Sequence, residues 1–412
     1  MKTTKGMRDF LPEEQVVRQK IMDILRSEFE LYGFRPLDTP AIESFEVLSA
    51  KYAGGEEILS ETFSLTDRGK RKLGLRYDLT VPLSRFITEN PQLKLPFKRY
   101  QIAKVWRDGP VGFGRYREFW QCDIDTIGSK SMKAEAEILA IADSSYKKIG
   151  LPVTIKVSNR KLLDGILDYL KVTDKKSAMV TIDKISKMPR AALIKEFESN
   201  GIKNGSKLLD FFKENTKLSD IKKIIPDNEG VIELEELFVY LKQYKTKVNF
   251  SVELARGLSY YTSTIFEVFL KKGKISSSLG GGGRYDKMIG NFAKQEYPAV
   301  GISFGLDRIY DALDKTDNKS NTQIYVIPIG TDAIEIVQEL RNTGINAEID
   351  ISGKGISKNL NYANSLKIPY VIFVGEKEMQ SGKFKLKEME SGKEQLLTLG
   401  QILKLFSGHK SL

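Results

Sequence analysis

The sequence predicts an α+β chain: a large sheet domain interrupted by helices, followed by a small α/β domain. Three observations predict it. Strand-like runs over 97–127 and 248–270, around "SSSLGGGGRYDKMIG" (276–290) and from 299 to Gly305 are interrupted, from about 160 to 245, by short Lys-rich amphipathic helices such as "RAALIKEFESNG". After the polar stretch "DKTDNKSNTQ" (314–323), the runs "IYVIPIG", "NAEIDI" and "PYVIFVG" alternate with helical segments, which is the rhythm of an α/β domain. At 412 residues the chain is also too long for one ordinary domain.

The elements follow in order. Residues 11–33 read as a helix: Pro12, Glu13 and Glu14 suit a first turn, Val17, Ile21, Leu25 and Phe29 recur at helical spacing, and Gly33 ends it. "FRPLDTPAIES" is extended, because Pro36 and Pro40 both bar a helix. "GLRYDLTVPLSRF" (74–86) is a strand entering a helix, with Thr80 and Pro82 at the break. Residues 97–127 read as two strands joined by "DGPVGFG", and 132–150 as a helix closed by Lys147, Lys148 and Gly150. "AVGISFGLDRIYDAL" (299–313) is a strand turning into a helix at Gly305, with Arg308 in the first turn.

Composition excludes several chemistries. The one cysteine, Cys122, rules out an intramolecular disulfide and any cysteine-cluster zinc site. The one histidine, His409, lies three residues from the end, so histidine general-base catalysis and His-rich metal sites are not expected. No apolar run approaches about 18 residues, so no membrane partner is expected. "MKTTKGMRDFLPEE" lacks an apolar signal core, and a cytoplasmic protein is expected. The net charge of +11 favours a polyanionic partner, and since 322–412 hold 11 basic and 10 acidic residues, the excess lies almost wholly before them.

The chemistry-bearing stretches combine cations with carboxylates. "VWRDGPVGFGRYREFWQCDID" (105–125) places three arginines and four acids among bulky apolar residues. In "SVELARGLSYYTSTIFEV", Arg256 stands in an apolar setting, and a buried arginine needs a fixed partner. "SLGGGGRYDKMIG" is neither a P-loop nor a dinucleotide fingerprint; its four glycines would let a backbone lie flat against a planar ligand. Arg308 at a helix start opposes the helix dipole, which suits an external anion.

In this order and together, these stretches resemble histidyl-tRNA synthetases, a family of class II aminoacyl-tRNA synthetases, over essentially the full length. "YGFRPLDTPAIE" is similar to class motif 1, with Pro40 at the dimer-forming position; "VWRDGPVGFGRYREFWQCDID" resembles motif 2, and "GISFGLDRI" motif 3. "ARGLSYYT" and "GGRYD" resemble the two histidine-specific signatures. The resemblance implies an antiparallel six-stranded sheet with flanking helices in a class II catalytic domain (1–160 and 246–315). It also implies a helical insertion (161–245), a linker (316–323) and an α/β anticodon-binding domain (324–412).

The resemblance further implies that Arg107 and Arg256 are catalytic, meeting the ATP α-phosphate and the substrate carboxylate. Asp78, Leu79, Thr80, Gln121, Asp125, Tyr260, Tyr261 and Tyr285 would join them around histidine, with Asp78 and Gln121 at the α-amino end and Asp125 and Tyr261 at the imidazole. Arg115, Arg117 and Arg308 would join Arg107 and Arg256 on ATP. Many class II enzymes carry Glu where this chain has Gly109, so no purine-binding carboxylate is named. The implied reaction activates L-histidine with ATP and Mg²⁺ and transfers it to the 3′ end of tRNA(His), in a homodimer; the sequence names no metal ligands. The alternative is the synthetase-like regulatory subunit of ATP phosphoribosyltransferase. It commonly lacks the C-terminal domain and the signature arginine, both present here.

Overall fold

The computed structural model describes residues 2–49, 59–185, 188–213, 215–255, 260–293, 295–313 and 320–406. Contacts divide the chain into two units, residues 1–8 with 24–313, and 9–23 with 314–412. Arg256, His409 and the first half of the expected linker (316–319) lie outside the described residues.

In the first unit the strands are β1 (Arg35–Pro36), β2 (Ile42–Ser44), β3 (Ser64–Thr66), β4 (Lys72–Leu75), β5 (Phe97–Trp106), β6 (Glu118–Ile127), β7 (Val153–Asn159), β8 (Asn249–Phe250), β9 (Thr264–Leu270), β10 (Gly280–Arg284) and β11 (Ala299–Gly305). The main sheet has the order β1-β5-β6-β11-β10-β9-β7-β8. Its middle six strands pair antiparallel, while short β1 and β8 add parallel to β5 and β7 at the edges. The expected six-stranded sheet is therefore the centre of an eight-stranded one. β1 and β8 are two-residue strands, too short to leave a period in the sequence. The run expected from 248 to 270 divides into β8 and β9, with a turn after β8. Between β7 and β8 run helices Arg160–Tyr169, Lys175–Ile182, Arg190–Ser199, Gly205–Phe211, Leu218–Ile224 and Glu229–Gln243, so the insertion is a long crossover joining parallel strands.

Register decides which residues meet, because directly opposed residues on antiparallel strands share a face. Arg99 of β5, Asp125 of β6 and Gly301 of β11 form one row across the sheet; Gln101, Asp123 and Ser303 form the next. The opposite face is apolar. Phe304 stacks on Tyr146 of the helix Lys133–Ile149 and on Phe29, with ring centroids 5.6 Å apart in each case. That helix ends as expected, with Gly150 left-handed at φ 85° and its N–H on the carbonyls of Lys147 and Tyr146.

The second unit holds a mixed sheet, β13-β12-β14-β15-β16, of β12 (Ile324–Ile329), β13 (Ala347–Ile349), β14 (Tyr370–Gly375), β15 (Lys383–Glu388) and β16 (Glu394–Thr398). The first three strands are the expected β-rich runs and pair in parallel, and the antiparallel hairpin β15–β16 extends them. Ile324 and Val326 enter one core and Tyr325 and Ile327 another, so β12 is buried on both faces.

One buried ion pair pins β10 to the helix behind the sheet. Arg284, the arginine of "GGRYD", donates from Nε and Nη2 to the two Glu135 oxygens at 2.6 and 2.8 Å, and both residues are fully enclosed. This signature arginine is thus an anchor. Removing one partner of such a pair leaves a buried, uncompensated charge, so Arg284→Met should lower unfolding free energy by about 3–5 kcal/mol in a denaturant titration. An unchanged midpoint would show that the pair anchors nothing.

Candidate active site

Two adjoining cavities open on the polar face of the main sheet. The larger, about 330 Å³, is lined by Arg107, Arg115 and Arg308 together with Glu61, Phe119 and the backbone of Gly280 and Gly281. The smaller, about 130 Å³, holds Asp78, Thr80, Gln121, Asp123 and Asp125, closed by Tyr260, Tyr261 and Tyr285. Tyr77, Arg107, Gln121, Gly281 and Ser303 line both. One cavity is rich in guanidinium groups and the other in carboxylates, and they meet at Arg107.

Local sequence explains how each side chain arrives. β5 ends at Trp106, which delivers Arg107 to the mouth, where its guanidinium lies 4.2 Å from the Tyr77 ring centroid and 5.1 Å from that of Phe119. Its Nε donates to the Tyr77 carbonyl at 3.2 Å, which fixes the fork. Burial pushes the Tyr77 hydroxyl up to about 12, with the Arg107 charge pulling the other way, so it remains a donor, to Glu61 at 3.0 Å. Past β4, Asp78 starts the helix Thr80–Glu89: its Oδ1 accepts from the N–H groups of Thr80 and Val81 at 3.0 and 2.9 Å. Pro82 is tolerated because it stands in that helix's first turn.

At the deep end, Asp125 lies between two partners. Its Oδ2 is 2.7 Å from Arg99 and its Oδ1 accepts from the Tyr285 hydroxyl. Burial raises its pKa, against the pull of Arg99 and Tyr285. Gly301 makes this possible, since a Cβ there would come 1.9 Å from Asp125 Oδ1. Gly283, one strand over, leaves the same room for the Tyr261 ring, 2.8 Å from a would-be Cβ. The glycine run therefore fits packing within the sheet as well as room for a ligand.

Most of the expected residues that are described meet here; two, Leu79 and Arg117, do not. Leu79 packs its side chain against Ala103 and Val105 and lines neither cavity; only its carbonyl turns inward, accepting from Arg99 at 3.2 Å. Arg117 is held in the loop by Asp108 at 2.9 Å and the Gly109 carbonyl at 3.2 Å, and lines neither cavity. Arg256 lies outside the described residues. Arg308 donates to the carbonyls of Gly114 and Ser278 at 3.1 and 2.8 Å, tying the β5–β6 loop to the segment before β10.

Two residues escaped the sequence reading. Asp123 was legible in principle, because it shares the period-2 face of Gln121 and Asp125. Glu61 left no local signal: its carboxylate fills the space over Gly109, 2.7 Å from where a Cβ would stand.

Fold and paired cavities together define a class II aminoacyl-tRNA synthetase. Within that class the chain belongs to the histidyl-tRNA synthetase family, whose model matches residues 6–309, while an anticodon binding domain model matches 323–409. It is 43% identical to Histidine--tRNA ligase 1 of a strain of Bacillus cereus, covering 98% of this chain and 99% of that one. To Histidine--tRNA ligase 2 of Shouchella clausii it is 42% identical, over 95% and 96%. The crystal structure of histidyl-tRNA synthetase from Nostoc sp. PCC 7120 superposes with a TM-score of 0.86 at 29% identity, over 98% of this chain and 99% of that one.

The contact at Gly301 carries a prediction. Gly301→Ala forces the buried Asp125 carboxylate off Tyr285 and Arg99, and overpacking of this kind costs about 1–3 kcal/mol. Thermal unfolding should show that loss, and an unaltered melting temperature would mean the row across β5, β6 and β11 is slack.

Proposed function

We infer that the chain is an ATP-dependent histidine--tRNA ligase, which activates histidine in the paired cavities and then charges tRNA(His). The observation that carries this reading is the single guanidinium of Arg107 standing at the junction of an arginine-lined and a carboxylate-lined cavity. ATP occupies the larger cavity, among Arg107, Arg115 and Arg308, and histidine the smaller.

A histidine carboxylate oxygen attacks the α-phosphorus, forming a mixed anhydride as the bond to pyrophosphate breaks. An α-carboxyl titrates at about pH 3.5, so the nucleophile is already ionised and needs no base. The obstacle is repulsion between two anions, and Arg107, reaching both, lowers it with directional donors. Arg256 is assigned the same phosphorus by the family resemblance. Gln121 and Asp78 face the α-amino end. Asp125, Tyr261 and Tyr285 face the ring, with Tyr260 packed on Tyr261. The second half-reaction passes the histidyl group to the terminal ribose hydroxyl of tRNA(His), releasing AMP.

Magnesium belongs to this scheme as part of the ATP complex. Among the described residues no group of three or more His, Cys, Asp or Glu could hold a metal ion, so no step is assigned to a protein-held one. A homodimer formed through the Pro40 segment, working in the cytoplasm where ATP and tRNA are found, completes the proposal. The match of residues 323–409 to an anticodon binding domain favours the charging enzyme over the regulatory-subunit alternative.

Histidine-dependent exchange of labelled pyrophosphate into ATP, alongside charging of tRNA(His), tests the reading; a protein that binds histidine without exchange would refute it. Arg107→Ala should reduce exchange turnover by about 10²–10³-fold, the usual loss for one preorganised donor at developing charge. Preserved turnover with a raised KM alone would assign Arg107 to binding.

A further inference from the structure

One acid on the cavity floor has no part in these assignments. Asp123 lies between Gln121 and Asp125 on the same face of β6, only 4% exposed. It bonds the Ser303 hydroxyl, whose oxygen accepts from Gln121 Nε2 at 2.7 Å. Asp123 Oδ1 has no hydrogen-bond partner among the described residues, nor does Gln121 Oε1. Two unfilled acceptors, neighbours on one buried strand face, are costly unless a donor enters between them.

The neighbouring acids are differently placed. Asp125 has Arg99 and Tyr285, and Asp78 Oδ1 is occupied by the helix N–H groups. Asp123 makes no ion pair among the described residues and its buried Oδ1 receives no donor, so its charge needs a cation from outside. We propose that Asp123, with Gln121, receives the α-ammonium group of the amino-acid substrate. This rests on reading the smaller cavity as the histidine site.

Spacing supports the choice of the ammonium over the ring. Side chains two positions apart on a strand face stand roughly 6.5–7 Å from each other. Asp125 and the tyrosines therefore hold the ring while Asp123 and Gln121 hold the ammonium, one pleat nearer Arg107. The ammonium is also a permanent cation at neutral pH, whereas imidazole, with a pKa of about 6.5, is mostly neutral there.

The proposal has a pH signature. Burial, with Asp125 and Asp78 adding to it, pushes the Asp123 carboxyl up to about 7 against the pull of Arg99 and Ser303. Arg76, from the segment leading to Asp78, is a further cation in range, and Gln101 stands opposite on β5. Below about pH 7 the ammonium must displace a proton from Asp123, so histidine binding weakens as pH falls. A raised folded-state pKa also means that the ionised carboxylate destabilises the empty protein. That penalty grows as pH rises from the ordinary aspartate range and is complete above about 7.

Asp123→Asn, assayed by pyrophosphate exchange, should raise KM for histidine by about 10- to 100-fold at pH 8, as for a lost hydrogen bond to a charged group. Turnover and KM for ATP should hold. The ratio of variant to wild-type KM should shrink below pH 7, a comparison from which histidine's own titration cancels. The ligand-free variant should melt at a higher temperature than wild type at pH 8. An unchanged histidine KM beside a raised one for Gln121→Ala would overturn the proposal and leave the site reading intact. Silence in both variants would overturn the site reading as well, and a lower melting temperature at pH 8 would show that Asp123 is already paired in the empty protein.

Discussion

The site depends on one electrostatic constraint: Asp78, Asp123 and Asp125 are buried around one cavity of about 130 Å³, with Arg99 beneath them and Arg107 at the mouth. Burial disfavours every ionised carboxylate, and burial is the largest influence on all three. Arg99 answers for Asp125, and the helix N-terminus for one oxygen of Asp78. What is left over is negative and aimed at a ligand. The cavity is built to be completed by a cation of amino-acid size, and the arginines next door by an anion.

The sheet makes that arrangement possible. In-register antiparallel pairing stacks Arg99, Asp125 and Gly301 in one row and Gln101, Asp123 and Ser303 in the next, so acids two positions apart project side by side from rigid backbone. The glycines of β10 and β11 keep neighbouring strands from filling the space they face. Behind the sheet, the Arg284–Glu135 pair and the Tyr146–Phe304 contact hold β10 and β11 against a helix that buries ten of its seventeen residues. Placement, more than acid–base chemistry, is what the fold supplies, in keeping with a reaction whose nucleophile is already ionised.

Much of this was legible in the sequence, for identifiable reasons. β5, β6 and the helix Lys133–Ile149 are long, strongly patterned and properly ended, and the parallel runs of the C-terminal unit are dense in β-branched residues. The candidate site was legible where residues crowd into one stretch, as in 105–125. Legibility failed where geometry rather than order decides. The two-residue edge strands carry no period, Leu79 points away because the chain turns there, and Arg117 is held by its own loop. Glu61 reaches Gly109 from 48 positions away in the chain, and no spacing in the sequence announces it. Arg284 belonged to a recognisable signature, yet its work is structural.

The most direct measurement is an electron-density map of the protein crystallised with histidine and a non-hydrolysable ATP analogue. The account predicts the histidine carboxylate and the α-phosphate meeting at Arg107, the α-ammonium between Gln121 and Asp123, and the ring against Asp125 and Tyr261. A histidine bound the other way round, with its ring at Arg107 and its carboxylate at the deep end, would contradict it.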